Sequence, residues 1–144
     1  MQQNGPVMIR LEMTIEDQGE KEYSKTEHAG EYFEKQPFHV LKYEEELDTG
    51  ERIHNQITIQ PKKVIIKRTG GIAMTQQFMK EKMTEGVYEH PHGNFHMETF
   101  TNRLKHSQFT DSEQGELHLM YTVKLNGMNE RKHELKLTYQ REAN

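Results

Sequence analysis

Strict alternation of apolar and polar residues near the C-terminal end constrains this chain more than any other feature. Leu117, Leu119, Tyr121, Val123 and Leu125 alternate with His118, Met120, Thr122 and Lys124. After a polar break, His133, Leu135, Leu137, Tyr139 and Arg141 alternate with Lys132, Glu134, Lys136, Thr138 and Gln140. A period of two places successive side chains on opposite faces of a strand, so this segment predicts two long strands with one buried and one wet face. Asn126-Gly127 favours a tight two-residue turn between them, but that register sets Val123 opposite Glu130 and Tyr121 opposite Lys132. A tip at Met128-Asn129-Glu130 instead pairs Val123 with Leu135, Tyr121 with Leu137 and Leu119 with Tyr139. A slip of one residue turns a whole face inside out, so the hydrophobic pattern predicts the longer loop.

The same period recurs upstream. Val7, Ile9, Leu11, Met13 and Ile15 alternate within one run that Asp17-Gln18-Gly19 ends. Lys21–His28 carries a fainter pattern, and Gly30 marks a bend before Tyr32 and Phe33. Further strands are expected at Phe38–Leu47, Arg52–Gln60, Val64–Arg68, Ile72–Met79 and Phe95–His106, separated by Asp48-Thr49-Gly50, Pro61 and Thr69-Gly70-Gly71. Met79–Met83 reads as one helical turn or as continued strand. Gly86–Gly93 reads as a strand end and loop, and Phe109–Gln114 as polar loop.

Apolar residues supply only 32% of the chain and charged residues 29%, a balance that suits disorder unless the pattern argues otherwise. Here it does, because half-buried antiparallel strands need apolar residues at only every second position. The expectation is a single all-β domain over residues 1–144, with residues 1–6 a flexible N-terminus. About ten sequential strands make either a two-sheet sandwich or a closed barrel. Closure removes exposed edges, so the fold class expected is a single antiparallel up-and-down β-barrel of 8–10 strands.

The turn and packing residues Arg68-Thr69-Gly70, Met74 and Phe78, then Gly86-Val87-Tyr88, Pro91 and Gly93, carry a family resemblance. In them the chain resembles the YwiB-like family, uncharacterised small β-barrel proteins of Bacillus and related Firmicutes. The resemblance spans Val7 to Tyr139. It implies a calycin, or lipocalin-like, barrel and no established activity. The family's Thr-Pro-Tyr-Gly-like loop reads His90-Pro91-His92-Gly93 here, so no functional residue is carried over.

Composition excludes several classes. A net charge of −4 without a basic stripe and stacking aromatics argues against nucleic acid. Lys62, Lys63, Lys67 and Arg68 read as a solvated face. With no cysteine there is no thiol chemistry or disulfide framework. No apolar run resembles a signal peptide or spans a membrane, so cytoplasmic residence is the expectation.

Two constellations could bind. Asn55, Gln76, Thr99, Thr101, Arg103, Tyr121, Tyr139 and Arg141 share a phase with the apolar set and so are expected to face the interior. Of these, Gln76, Thr99, Arg103, Tyr121, Tyr139 and Arg141 are the ligand-binding candidates. A buried arginine needs a charge partner, so Arg103 or Arg141 could hold a carboxylate beside a tyrosine hydroxyl. Tyr139-Gln140-Arg141 resembles, in reversed order, the arginine–tyrosine pair of fatty-acid-binding barrels. The plainer reading puts Arg141 at the rim and the tyrosines in the core. Met13, Met74 and Met97 add flexible thioethers to the inward face. His90, His92 and His96 are the metal candidates, because imidazoles suit an open zinc, copper or nickel site. Exposed loop histidines are the plainer alternative, so no metal and no cofactor is assigned.

No phosphate loop, nucleophile elbow or zinc-protease motif occurs, and Glu44-Glu45-Glu46 reads as a solvated strand end. The expected function is therefore a non-enzymatic barrel whose partner is a small, partly apolar or carboxylate-bearing molecule. A protein-interaction module with a filled barrel and an enzyme using histidines at the barrel mouth are the alternatives. An interior cavity of about 300 Å³ or more separates the first reading from the second.

Overall fold

The computed structural model describes residues 4–35, 37–107 and 114–141. Ten strands follow in order: β1 Gly5–Asp17, β2 Glu20–Lys35, β3 Phe38–Glu46, β4 Arg52–Ile59 and β5 Val64–Gly70, then β6 Ala73–Phe78, β7 Met83–His90, β8 Gly93–Ser107, β9 Gln114–Leu125 and β10 Arg131–Arg141. Each pairs antiparallel with its neighbours in sequence, and β1 also pairs with β10, which closes a ten-stranded up-and-down barrel. The described residues contain no helix, and so none long and apolar enough to cross a membrane.

The interior is built from the alternating residues. Val7, Ile9, Leu41, Ile57, Val64, Phe78, Leu117, Leu119, Leu135 and Leu137 form its packed centre. Most of their neighbours along each strand are charged or polar, Met8, Val40, Ile65 and Met120 being exceptions, which is why so lean a composition suffices. Leu11 and Met13 pack against the centre from a half-buried position.

Three segments are more regular than expected. β2 runs unbroken through Gly30, which is there because Ile9 and the Lys42 carbonyl occupy the space a Cβ would need. β7 pairs with β8 from Met83 to His90 where a strand end and loop were expected. Gly5 and Pro6 belong to β1, so of the expected flexible N-terminus only residues 1–3 lie outside the described residues. The expected loop at Phe109–Gln114 also lies outside them, apart from Gln114, which begins β9. Between β6 and β7 the chain takes neither expected course: Lys80 makes a lone parallel bridge to Thr101, and Glu81 turns with φ of 61°.

Two irregularities carry the corrections. In the last hairpin Asn126 and Gly127 both take positive φ (51° and 71°), and the Met128 amide donates to the Leu125 carbonyl at 2.9 Å. The tight turn therefore forms. Register beyond it sets Val123 opposite Arg131, Tyr121 opposite His133 and Leu119 opposite Leu135, not the pairs expected. One extra residue in the arm leading into β10 restores the inward phase, so the turn preference and the hydrophobic pattern are both satisfied. The second irregularity is a bulge in β8: Thr101 faces Tyr121, but Arg103 faces Met120. Asn102 is the extra residue, and it reverses the facing of everything after it. Arg103 thus lies on the outer wall, contrary to expectation, and Leu104 and His106 turn inward in its place.

Gly115 sits opposite Tyr139, and a Cβ there would overlap the tyrosine ring and hydroxyl. Gly115→Ala is expected to displace that ring and cost about 1–3 kcal/mol, read as a lower urea midpoint at unchanged slope. Thr101 is fully buried and its Oγ1 makes no hydrogen bond. Thr101→Val removes the orphaned hydroxyl and is expected to raise stability by roughly 1 kcal/mol, read the same way.

Candidate functional site

Antiparallel order puts the β1–β2, β3–β4, β5–β6, β7–β8 and β9–β10 turns at one end of the barrel. At that end the interior opens into a cavity of about 600 Å³. Its walls come from inward residues of β6 (Met74, Gln76), β7 (Tyr88), β8 (Phe95, Met97) and β9 (Tyr121, Val123, Leu125). His133 on β10 and the two turns bearing Gln18 and Met128 complete it. Phe78, fully buried behind the lining, packs edge-on against Tyr121 with ring centroids 4.7 Å apart. Tyr88 and Phe95 make a second edge-on pair at 6.1 Å, and His133 stacks on Tyr121 at 4.9 Å with the planes 17° apart.

The polar groups of this cup are few and deeply set. Gln76 is 7% exposed, and its Nε2 donates to Thr99 Oγ1 at 2.9 Å. Tyr121 is 5% exposed, and burial raises its hydroxyl pKa. Burial, with the Arg131 charge nearby, brings the His133 pKa down to about 4, so its imidazole is neutral at physiological pH. The charges at the mouth, Arg131 and Asp17, pair with each other at 3.3 Å.

A second polar group stands on the wall of β3, β4 and β5. Arg68 Nη2 donates to Glu45 Oε1 at 3.1 Å and its Nε to Asn55 Oδ1 at 3.1 Å, while Asn55 Nδ2 donates to Glu45 at 2.9 Å. Arg68 and Glu45, expected in water, are about one-third exposed or less and satisfy each other. Asn55 is buried at the position its phase indicated.

Towards the opposite end the described side chains meet across the interior. Tyr32, His39, His106 and Tyr139 form a ring of side chains there, with Tyr32 and His39 hydrogen-bonded at 2.5 Å and Tyr139 and His106 at 2.8 Å. The Tyr32 and Tyr139 rings stack at 5.5 Å, and the two imidazoles stand 5.6 Å apart. Burial lowers the pKa of both histidines; for His106, which also feels His39, it falls to about 4. Burial raises the Tyr32 hydroxyl to about 12.

The expected ligand residues are therefore divided. Gln76 and Tyr121 line the cup and Thr99 supports Gln76. Tyr139 and Arg141 lie at the other end, Tyr139 six positions beyond His133 along β10, or roughly 20 Å away. Arg103, on the outer wall, donates through Nε to His118 Nδ1 at 2.8 Å, and His118 Nε2 meets Glu134 at 2.7 Å. His90 and His92 stand together at the β7–β8 tip, their rings 5.2 Å apart. His96 is separate, on the outer face between Glu85 and Glu98 at 3.9 and 3.8 Å. Among the described residues no three histidine or acidic side chains are grouped as metal ligands. His39 and His106 were missed as interior groups, since nothing local marks His39 and the Asn102 bulge hides the phase of His106; the alternation of β10 gave His133 the inward phase but did not single it out as a site residue.

Fold and cup together define a closed, ten-stranded up-and-down β-barrel that is hollow at one end and, among the described residues, packed towards the other. Comparison with known proteins places it more narrowly. Residues 9–137 match the model of a family described as a domain of unknown function, DUF1934, and the chain belongs to that family. It is 26% identical over 140 residues to the uncharacterized beta-barrel protein YwiB of Bacillus subtilis, covering 97% of this chain and 96% of that protein. The crystal structure of the ywiB protein from Bacillus subtilis superimposes with a TM-score of 0.86 over 98% of this chain and 94% of that one.

The buried histidines make stability depend on pH. His106 and His133 titrate near 4 when folded but near 6.5 when unfolded, so between those values the unfolded chain binds more protons. Their contribution is complete above about pH 6.5 and is lost as pH falls towards 4. The melting temperature is expected to drop by about 5 °C or more from pH 7 to pH 5. His106→Gln, which keeps a hydrogen-bonding group beside Tyr139 and cannot charge, should lose visibly less over the same interval.

Proposed function

We propose that this protein is a non-enzymatic, lipocalin-like binding protein that takes a small, partly apolar molecule into the cup. The carrying observation is the cavity of about 600 Å³, which exceeds the volume a small ligand needs and is walled mainly by Met74, Tyr88, Phe95, Met97, Val123 and Leu125. Thioether and aromatic side chains adapt to ligand shape and gain from contact with flat rings. A larger space of about 840 Å³ on the outer faces of β2–β5 is a groove edged by Glu31, Lys42, Glu44, His54 and Lys67, and it lacks such walls.

The arginines near the cup are poorly placed for carboxylate capture. Arg103 lies outside, Arg68 is engaged by Glu45 and Asn55, and Arg131 is engaged by Asp17. The reading that remains is of an apolar body with a polar but uncharged end.

Native mass spectrometry of protein purified from its own host is expected to show a retained small molecule. In parallel, 1-aminoanthracene, a neutral fluorescent probe, should bind with micromolar affinity and gain emission. Val123→Trp narrows the cup, and at unchanged melting temperature it should weaken both signals. No adduct and no probe binding by the folded protein would sink the reading.

A further inference from the structure

We infer that the cup selects an uncharged, flat molecule carrying an amide-like edge, with neighbouring hydrogen-bond donor and acceptor groups; this rests on the binding reading just given. Two side chains carry the inference. Gln76 on β6 and Tyr121 on β9 are each more than nine-tenths buried, and both line the cavity. Gln76 spends one N–H on Thr99, which leaves its carbonyl oxygen and second N–H without a partner among the described residues. The Tyr121 hydroxyl likewise bonds to none of them. Neither group is shut away from the cavity, unlike Thr101 Oγ1 and His133 Nδ1, which are buried and unbonded.

A polar group set this deep gains from a ligand that completes its hydrogen bonds and loses from one that desolvates it unpaired. Gln76 offers an acceptor and a donor from one planar amide, and Tyr121 offers a hydroxyl able to play either part. Their complement is a primary or cyclic amide, or a carbonyl beside an N–H. Charge points the same way. Of the ionisable groups around the cup, Asp17 and Arg131 neutralise each other, and Glu45 and Arg68 do so on the adjoining wall. His133 is uncharged and stacked on Tyr121. The Arg131–Asp17 pair is half exposed and offers its charge to water at the mouth, whereas Arg68 is held by Glu45 in a largely buried pair that an anion would have to break, and a cation meets the same obstacle at Glu45. The flat shape follows from the aromatic rings of Tyr88, Phe95 and Tyr121 and the thioethers of Met74 and Met97 around the space.

The test uses three naphthalene probes of nearly equal size: 2-naphthamide, 2-naphthoate and naphthalene itself. Each displaces 1-aminoanthracene from the wild-type protein, from Tyr121→Phe and from Gln76→Leu. The amide is expected to bind about tenfold more tightly than either of the others. Each substitution should weaken the amide by roughly five- to tenfold and leave naphthalene within about twofold. Tyr121→Phe keeps the ring that packs on Phe78 and His133, so its fold is protected should Gln76→Leu disturb packing. Naphthoate binding as tightly as the amide, or an amide preference that survives both substitutions, would overturn the inference while leaving the cup a binding site. Failure of all three probes to displace bound 1-aminoanthracene would overturn this inference alone, whereas a folded protein that takes up no 1-aminoanthracene would overturn the binding reading and this inference with it.

Discussion

Pairing of β1 with β10 is the constraint on which the rest of the structure depends. It joins Val7 to Arg141 through Glu16 to Lys132 and leaves none of the ten described strands at an open edge. Closure also makes facing a property of the whole ring. Once Ile9 points inward, Tyr139 opposite it must point inward, and the rule passes from strand to strand around to β2. A single uncompensated slip anywhere would set an apolar face in water or a charged one in the core. The sequence therefore tolerates odd residues only where one inserted position restores agreement, as in the arm of the last hairpin and at Asn102.

This explains what could be read without coordinates. Alternation in β1, β9 and β10 is strong because their outward residues are nearly all polar or charged, and those strands emerged with the right inward set. β2 was faint because its first half, from Glu20 to Glu27, is exposed on both faces and carries no apolar period to detect. β7 was obscured by Gly86, whose missing side chain leaves room for the Thr75 carbonyl and Met97. Phase at Arg103 failed for a different reason. A bulge is a backbone event with a small local signature, and the run Phe95–Thr101 gives no sign that the count changes after it.

The candidate site was legible by type but not by place. Gln76 and Tyr121 followed from phase alone, because they share faces with Phe78 and Leu119. Their separation from Tyr139 and Arg141 did not, since alternation says which side chains point inward but not at what height along the axis they sit. That height depends on strand tilt and stagger, which come from pairing register. The same limit hid the Glu45–Asn55–Arg68 group: its members lie on three strands, and only register brings them together.

Unequal filling of the two ends follows from side-chain size and stiffness. At the packed end Tyr32, Tyr139, Phe78, Ile9, Leu41 and Leu117 meet across the axis, and each is at most 1% exposed. At the hollow end Met74, Gln76, Met97 and Thr99, which are slender or flexible, stand on adjacent walls, beside a strand bearing Gly86. If the resulting 600 Å³ were a sealed void it would cost on the order of 14 kcal/mol, as much as a whole domain's stability. The space is sustainable because it opens at its mouth, where Met128 is 68% exposed and water can enter. An open cup with apolar walls and two buried hydrogen-bonding groups keeps the barrel stable when empty. On the binding reading proposed above, its walls also leave an uncharged, partly apolar molecule a favourable exchange with that water.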